Sequence, residues 1–154
     1  MAAGDRIAVF VYGTLRRGGV RAVPGLFRDA RLVGTGTVRG WLHDLGAYPG
    51  LALDAGGQAI VGEVYRVTAA TLRAMDRIER YDASDEAGSY YVRRRVPVTL
   101  SEGGTLDAWV YECNARVYRL GTPMTATDWI AYARAKGPLP REAWPDGRTI
   151  RRRP

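Results

Sequence analysis

Apolar positions along the chain fall into short runs separated by glycine-rich turns. Ile7 to Tyr12 is a continuous apolar run, rich in β-branched and aromatic residues, that stops at Gly13. That pattern predicts a short buried strand. Arg16 to Gly25 reads as a polar, glycine-containing loop. Arg31 to Leu42 carries Val, Thr and Trp interrupted by Gly34, Gly36 and Gly40, a strand bent or bulged at its glycines. Gly46 to Gly50, with Pro49, and Asp54 to Gly57 are turn signals. Gln58 to Val67 alternates, with Ile60, Gly62, Val64 and Arg66 on one face and Val61, Glu63, Tyr65 and Val67 on the other. Thr68 then caps a helix predicted to run to about Arg80. Tyr90 to Leu100 and Leu106 to Cys113 read as a hairpin joined at Gly103-Gly104, with Pro97 marking an edge or a bulge. Thr127 to Lys136 reads as a second short helix, stopped by Gly137 and Pro138. Strands dominate, glycines bend them and helices follow particular strands. The expected class is α+β: a small mixed sheet, curved or closed into a barrel, with two or more flanking helices.

Length and composition narrow the chemistry. The 154 residues suit one domain, read as residues 1–147 followed by a basic tail at 148–154. With 46% hydrophobic residues the chain can bury a core without staples. Its one cysteine, Cys113, and one histidine, His43, exclude a disulfide framework and a closed structural zinc site within one chain. No metal or other cofactor is expected. The run at Ile7 to Tyr12 is too short for a signal peptide or a membrane span, so the expected location is cytoplasmic, with no membrane partner. The net charge of +7 is concentrated in two places: Arg148, Arg151, Arg152 and Arg153 in the tail, and Arg93 to Arg95. Such clusters can bind nucleic acid, but no aromatic residue interleaves with the tail to form a stacking platform. Nucleic acid is therefore not the expected partner, and the chain is expected to be a monomer or a weak dimer.

Two features carry candidate chemistry. On a helical wheel, Glu79 falls inside the apolar stripe defined by Leu72, Met75 and Ala69, and Asp76 falls at its edge. A glutamate on a buried face is paired, frayed into solvent or functional. Desolvation makes a carboxylate a better proton acceptor, as a general base requires. The second feature is Tyr12-Gly13-Thr14-Leu15, directly after the first strand. Glycine there permits close backbone approach, and successive N–H groups in such a turn can cradle an anion. The spacing fits neither a Walker loop nor a dinucleotide fingerprint.

These segments occur in an order that resembles the gamma-glutamylcyclotransferase-like (AIG2-like) family. The matching pieces are VFVYGTLRRG at 9–18, GWLHDLGAYPGL at 40–51, VGEVYRV at 61–67, LRAMDRIERYD at 72–82, YYVRRRVPV at 90–98 and AWVYE at 108–112. The likeness spans residues 7–113. It implies a small mixed barrel with a pocket at one end. It implies that Glu79 is the catalytic glutamate, that Tyr12, Gly13, Thr14 and Leu15 hold the gamma-glutamyl moiety, and that Tyr91 and Tyr111 line the pocket. The implied partner is a small gamma-glutamyl amide. Its own α-amine would attack its γ-carbonyl to give 5-oxoproline and a free amine, with Glu79 as general acid/base. The family's usual glycine after this glutamate is Arg80 here, a departure expected to bear on substrate fit more than on chemistry. A non-catalytic binding module on the same barrel is the alternative, and the intact Glu79 speaks against it. Cys113 is expected to be a buried, inert thiol. His43, read as a loop residue, is given no role. Asp76 is expected to support the helix, and Arg93 is placed outside the site.

Overall fold

The computed structural model describes residues 6–16 and 25–137. The elements are β1 (Ile7–Val11), β2 (Arg31–Asp44), β3 (Pro49–Leu53), β4 (Gln58–Val67), α1 (Ala69–Ile78), β5 (Tyr91–Leu100), β6 (Thr105–Cys113), α2 (Ala115–Tyr118), β7 (Thr122–Pro123) and α3 (Trp129–Lys136). The segment from Pro138 onward, the arginine tail included, lies outside the described residues, as does most of the Arg16–Gly25 loop.

Five strands close into a barrel. β2 pairs antiparallel with β4, β4 antiparallel with β1, β1 parallel with β6, and β6 antiparallel with β5. The ring is completed where β5 meets β2 at Gly36↔Leu100 and Thr37↔Thr99. Closure satisfies the strand edges that an open sheet would leave exposed. β3 and β7 add to the far end of β2. The expected bend in β2 is a register shift between Leu32 and Gly34. Pro97 sits within the β5–β6 ladder opposite Asp107, on the part of β5 that has no pairing with β2, so its missing N–H costs no ladder bond.

Period-2 alternation feeds two cores. Phe10, Val38, Ile60, Val64, Val98 and Val110 fill the barrel, and Trp129 and Ile130 of α3 plug it. Val9, Val11, Tyr65 and Val67 face outward beneath Leu72 and Met75 of α1. β1 is thus buried on both faces, which is why its sequence is an unbroken apolar run. A Cβ on Gly62 would lie 2.4 Å from both Phe10 Cζ and the Val11 carbonyl, so glycine lets the Phe10 ring cross the interior.

Several boundaries differ from expectation. The turn read at Gly46 to Gly50 ends early, because Pro49 opens β3 against Asp44 of β2. β2 continues through Asp44, which places His43 on a strand with its ring stacked on Tyr118. The helix expected over Thr127 to Lys136 begins at Trp129, capped by Asp128. α2 and β7 were not foreseen, being too short to carry a period of their own. No helix among the described residues is long and apolar enough to cross a membrane.

Candidate active site

The end of β1 delivers the glycine loop to the barrel rim. The Arg16 N–H closes a turn on the Gly13 carbonyl at 3.1 Å. Arg16 then pairs at 2.8 Å with Asp128, which also accepts from the Ala131 N–H at the start of α3. The loop is therefore pinned from both ends. A Cβ at Gly13 would meet Pro49 Cγ at 2.8 Å, so close approach to Pro49 is what requires glycine here. Thr14 and Leu15 are buried. Among the described residues, the N–H groups of Gly13, Thr14 and Leu15 meet no acceptor.

Glu79 arrives by a different route from the one its helical-wheel position suggested. α1 ends at Ile78, and Glu79 is its C-cap, with φ −83° and ψ 0°. Arg80 follows at φ +53°, the one positive-φ non-glycine among the described residues. The Arg80 N–H bonds the Arg77 carbonyl at 3.3 Å and the Tyr81 N–H bonds the Asp76 carbonyl at 2.9 Å, the double bond pattern of a left-handed helix stop. The departure at Arg80 therefore concerns backbone conformation: the position wants a residue free to adopt αL. The cap turn aims Glu79 at the cavity.

One cavity gathers all the residues singled out. Tyr12, Gly13, Thr14, Leu15, Glu79, Tyr91 and Tyr111 line it together with Phe10, Val11, Tyr48 and Pro49. Its free volume is about 30 Å³, room for no more than a water or two. Tyr48 and Pro49 escaped as site residues because Gly46 to Gly50 was read as a turn and no strand was read at 49–53. The alternation of Leu51 and Leu53 after Pro49-Gly50 was the available signal.

The three tyrosines share one property. Tyr12 donates its hydroxyl proton to the Tyr111 carbonyl at 2.6 Å and accepts from the Leu51 N–H at 3.3 Å. Tyr91 donates to the Pro49 carbonyl at 2.7 Å. Tyr111 donates to the Asp76 carboxylate at 2.6 Å. Every hydroxyl proton is committed to protein, so toward a ligand these oxygens can only accept. Burial pushes the Tyr12 and Tyr91 hydroxyls well above the ordinary tyrosine value. For Tyr111, burial and then the hydrogen bond to Asp76 do the same. They remain protonated throughout the neutral range.

Asp76 and Arg93, assigned no place in the site from sequence, form its outer support. Arg93 Nε lies 2.7 Å from one Asp76 oxygen and its Nη2 3.2 Å from the other. The same guanidinium stacks over Trp109 and Tyr81 at 4.8 and 5.2 Å from the ring centroids. Cys113 is buried against Gly50 and lies outside the cavity lining. His43 is held lower than the ordinary histidine value by burial and does not reach the cavity. Among the described residues no cluster of three or more His, Cys, Asp or Glu side chains could hold a metal.

This fold has known counterparts. The sequence profile of the family "Gamma-glutamyl cyclotransferase, AIG2-like" matches residues 9–131, and the chain belongs to that family. The match extends past Cys113, where the sequence resemblance had ended, and takes in α2, β7 and the start of α3. The gamma-L-glutamyl-butirosin B gamma-glutamyl cyclotransferase of Niallia circulans is 35% identical over 126 residues, covering 80% of this chain and 76% of that enzyme. The crystal structure of an AIG2-like protein from Mus musculus superimposes with a TM-score of 0.67 at 25% identity, covering 89% of this chain and 97% of that one. A solved gamma-glutamyl cyclotransferase shares the fold, with a TM-score of 0.53 at 15% identity over 71% of this chain and 67% of that one.

Proposed function

We propose that this protein is a gamma-glutamylcyclotransferase-type enzyme that converts a gamma-glutamyl amide into 5-oxoproline and a free amine, with Glu79 as the general acid/base. The observation that carries the reading is the polarity of one cavity. A carboxylate and three tyrosines whose hydroxyl protons are held by protein share its lining with a loop whose backbone N–H groups meet no acceptor among the described residues. An acceptor-rich wall suits the substrate's α-ammonium, and the loop of residues 13–15 suits its α-carboxylate or the oxyanion that develops on the γ-carbonyl.

The chemistry balances without any co-reactant. Glu79 takes a proton from the α-ammonium, and the freed amine attacks the γ-carbonyl of the same molecule. A carbon–nitrogen bond forms to close the five-membered ring. The bond to the leaving amine breaks as Glu79 returns the proton to that nitrogen. Both reacting groups belong to one substrate, so the protein's main task is to fold it into attack geometry. With the hydroxyl protons of Tyr12, Tyr91 and Tyr111 held by protein acceptors, Glu79 is the carboxylate in the lining that can take up and return a proton.

The decisive experiment incubates the protein with a panel of gamma-glutamyl amides whose leaving groups range from amino acids to alkylamines and follows 5-oxoproline by mass spectrometry. Release of 5-oxoproline at enzymatic rates is expected for at least one class. Saturable binding of the panel with no product from any member would favour the binding-module alternative.

A further inference from the structure

At the opposite end of the barrel the parallel seam between β1 and β6 is short. Its register holds only at Val9↔Trp109 and Phe10↔Val110. Before those pairs the two strands part, and a cavity of about 570 Å³ opens between them. That volume falls within the range of ordinary ligand pockets. No residue lines both this cleft and the tyrosine cavity; along β1 the linings are divided by Val9, and along β6 by Val110.

Three arginines line the cleft: Arg6 ahead of β1, Arg66 on β4 and Arg95 on β5. Arg95 stands directly opposite Trp109, which is half-buried in the cleft wall. Arg31 stands directly opposite Arg66 across β2–β4, a placement that puts like charges on one face and costs stability unless something offsets it. Arg6 donates to the Asp29 carbonyl, which fixes its side chain without neutralising it. Among the described residues, none of these arginines takes part in an ion pair. One carboxylate, Asp107, shares the cleft, leaving an excess of two positive charges over the lining. Apart from Thr105, the remaining walls, Leu106 and Trp109 among them, are apolar.

We propose that this cleft binds a small phosphomonoester, its phosphate held by Arg66, Arg95 and Arg6 and its organic body lying against Trp109 and Leu106. A phosphate monoester carries close to two negative charges at neutral pH, which matches the excess. Guanidinium groups bind phosphate oxygens in a fork that a single carboxylate does not fill three times over. A volume far beyond one phosphate accounts for the organic body. The concave, bounded shape favours a small ligand over a nucleic-acid backbone, which tracks an extended basic surface.

Isothermal titration with phenyl phosphate at constant ionic strength tests this directly, with inorganic phosphate as the bodiless comparison. One saturable site with a Kd below about 1 mM is expected, with inorganic phosphate several-fold weaker. Arg66→Gln and Arg95→Gln should each weaken binding about tenfold, while release of 5-oxoproline stays as in the unaltered protein. Arg95 is exposed, so its variant decides the matter if Arg66→Gln fails to fold. Absence of saturation by about 10 mM would overturn the site, as would affinity unchanged in Arg95→Gln. So would a DNA duplex that binds through these arginines and is not displaced by phenyl phosphate.

Discussion

The hydroxyl of Tyr111 donates to the Asp76 carboxylate at 2.6 Å, while the other side of that tyrosine faces the cavity that holds Glu79. Asp76 itself is held by Arg93 at 2.7 Å. One acidic side chain thus decides which way a pocket tyrosine points its proton. Asp76→Asn is expected to lower kcat/KM about tenfold or somewhat more, the worth of a charge-assisted hydrogen bond at about 1.5–3 kcal/mol. Because Asp76 helps keep the Tyr111 hydroxyl protonated, the variant should also ionise one tyrosine earlier in an alkaline titration. Unchanged tyrosine titration together with unchanged kinetics would show that the contact is structural only.

Glu79→Gln is expected to abolish turnover, with kcat down at least about 10²-fold, while folding and ligand binding persist. Glutamine keeps shape and hydrogen-bonding capacity but cannot take a proton from an ammonium. The loss should exceed that of Asp76→Asn. Kinetics and thermal melts on both variants check this. Near-normal turnover would sink the acid/base assignment, and unfolding would make Glu79 a structural partner.

Arg80 occupies αL at φ +53°, a conformation that costs a side-chain-bearing residue about 1 kcal/mol and glycine almost nothing. Arg80→Gly should therefore be more stable than Arg80→Ala by about 1 kcal/mol, since both lose the stacking of the guanidinium over Tyr90 but only one relieves the backbone. Urea unfolding of the two variants measures the difference. Equal stability would mean that the turn relaxes and the strain is not stored there.

Tyr12, Tyr91 and Tyr111 are all raised above the unfolded tyrosine value, chiefly by burial, and the hydrogen bond from Tyr132 to Asp44 pushes Tyr132 up to about 12. A raised folded value means that the native state keeps its protons when the unfolded chain has lost them. This contribution to stability is complete below about pH 10 and declines as pH rises above it. Ultraviolet difference titration should find at least these four tyrosines ionising late, with the melting temperature falling over the same range. Nine tyrosines titrating together near the ordinary value in the folded protein would contradict the hydrogen bonding described here.

Local pattern determined much of this protein. The unbroken apolar run of β1, the alternation of β4, the Gly103-Gly104 hairpin and the Thr68 cap are each set by neighbours within a few residues, so they were legible before folding. So was the loop at Tyr12 to Leu15, because a glycine ending an apolar strand is a local signal. The ring closure between β5 and β2 was not, since it rests on two residue pairs more than sixty positions apart. The orientation of Glu79 depended on a cap turn whose left-handed residue is an arginine, which no propensity would place there. The Asp76–Arg93–Tyr111 support joins α1, β5 and β6, and nothing in their separate periodicities says that a helix edge will meet those two strands. The arginine cleft likewise exists only because β1 and β6 lie apart ahead of their two paired residues. Sequence fixes which side chains are available within each element. Which of them share a cavity is decided by long-range pairing, whose energy comes from burying distant apolar faces together.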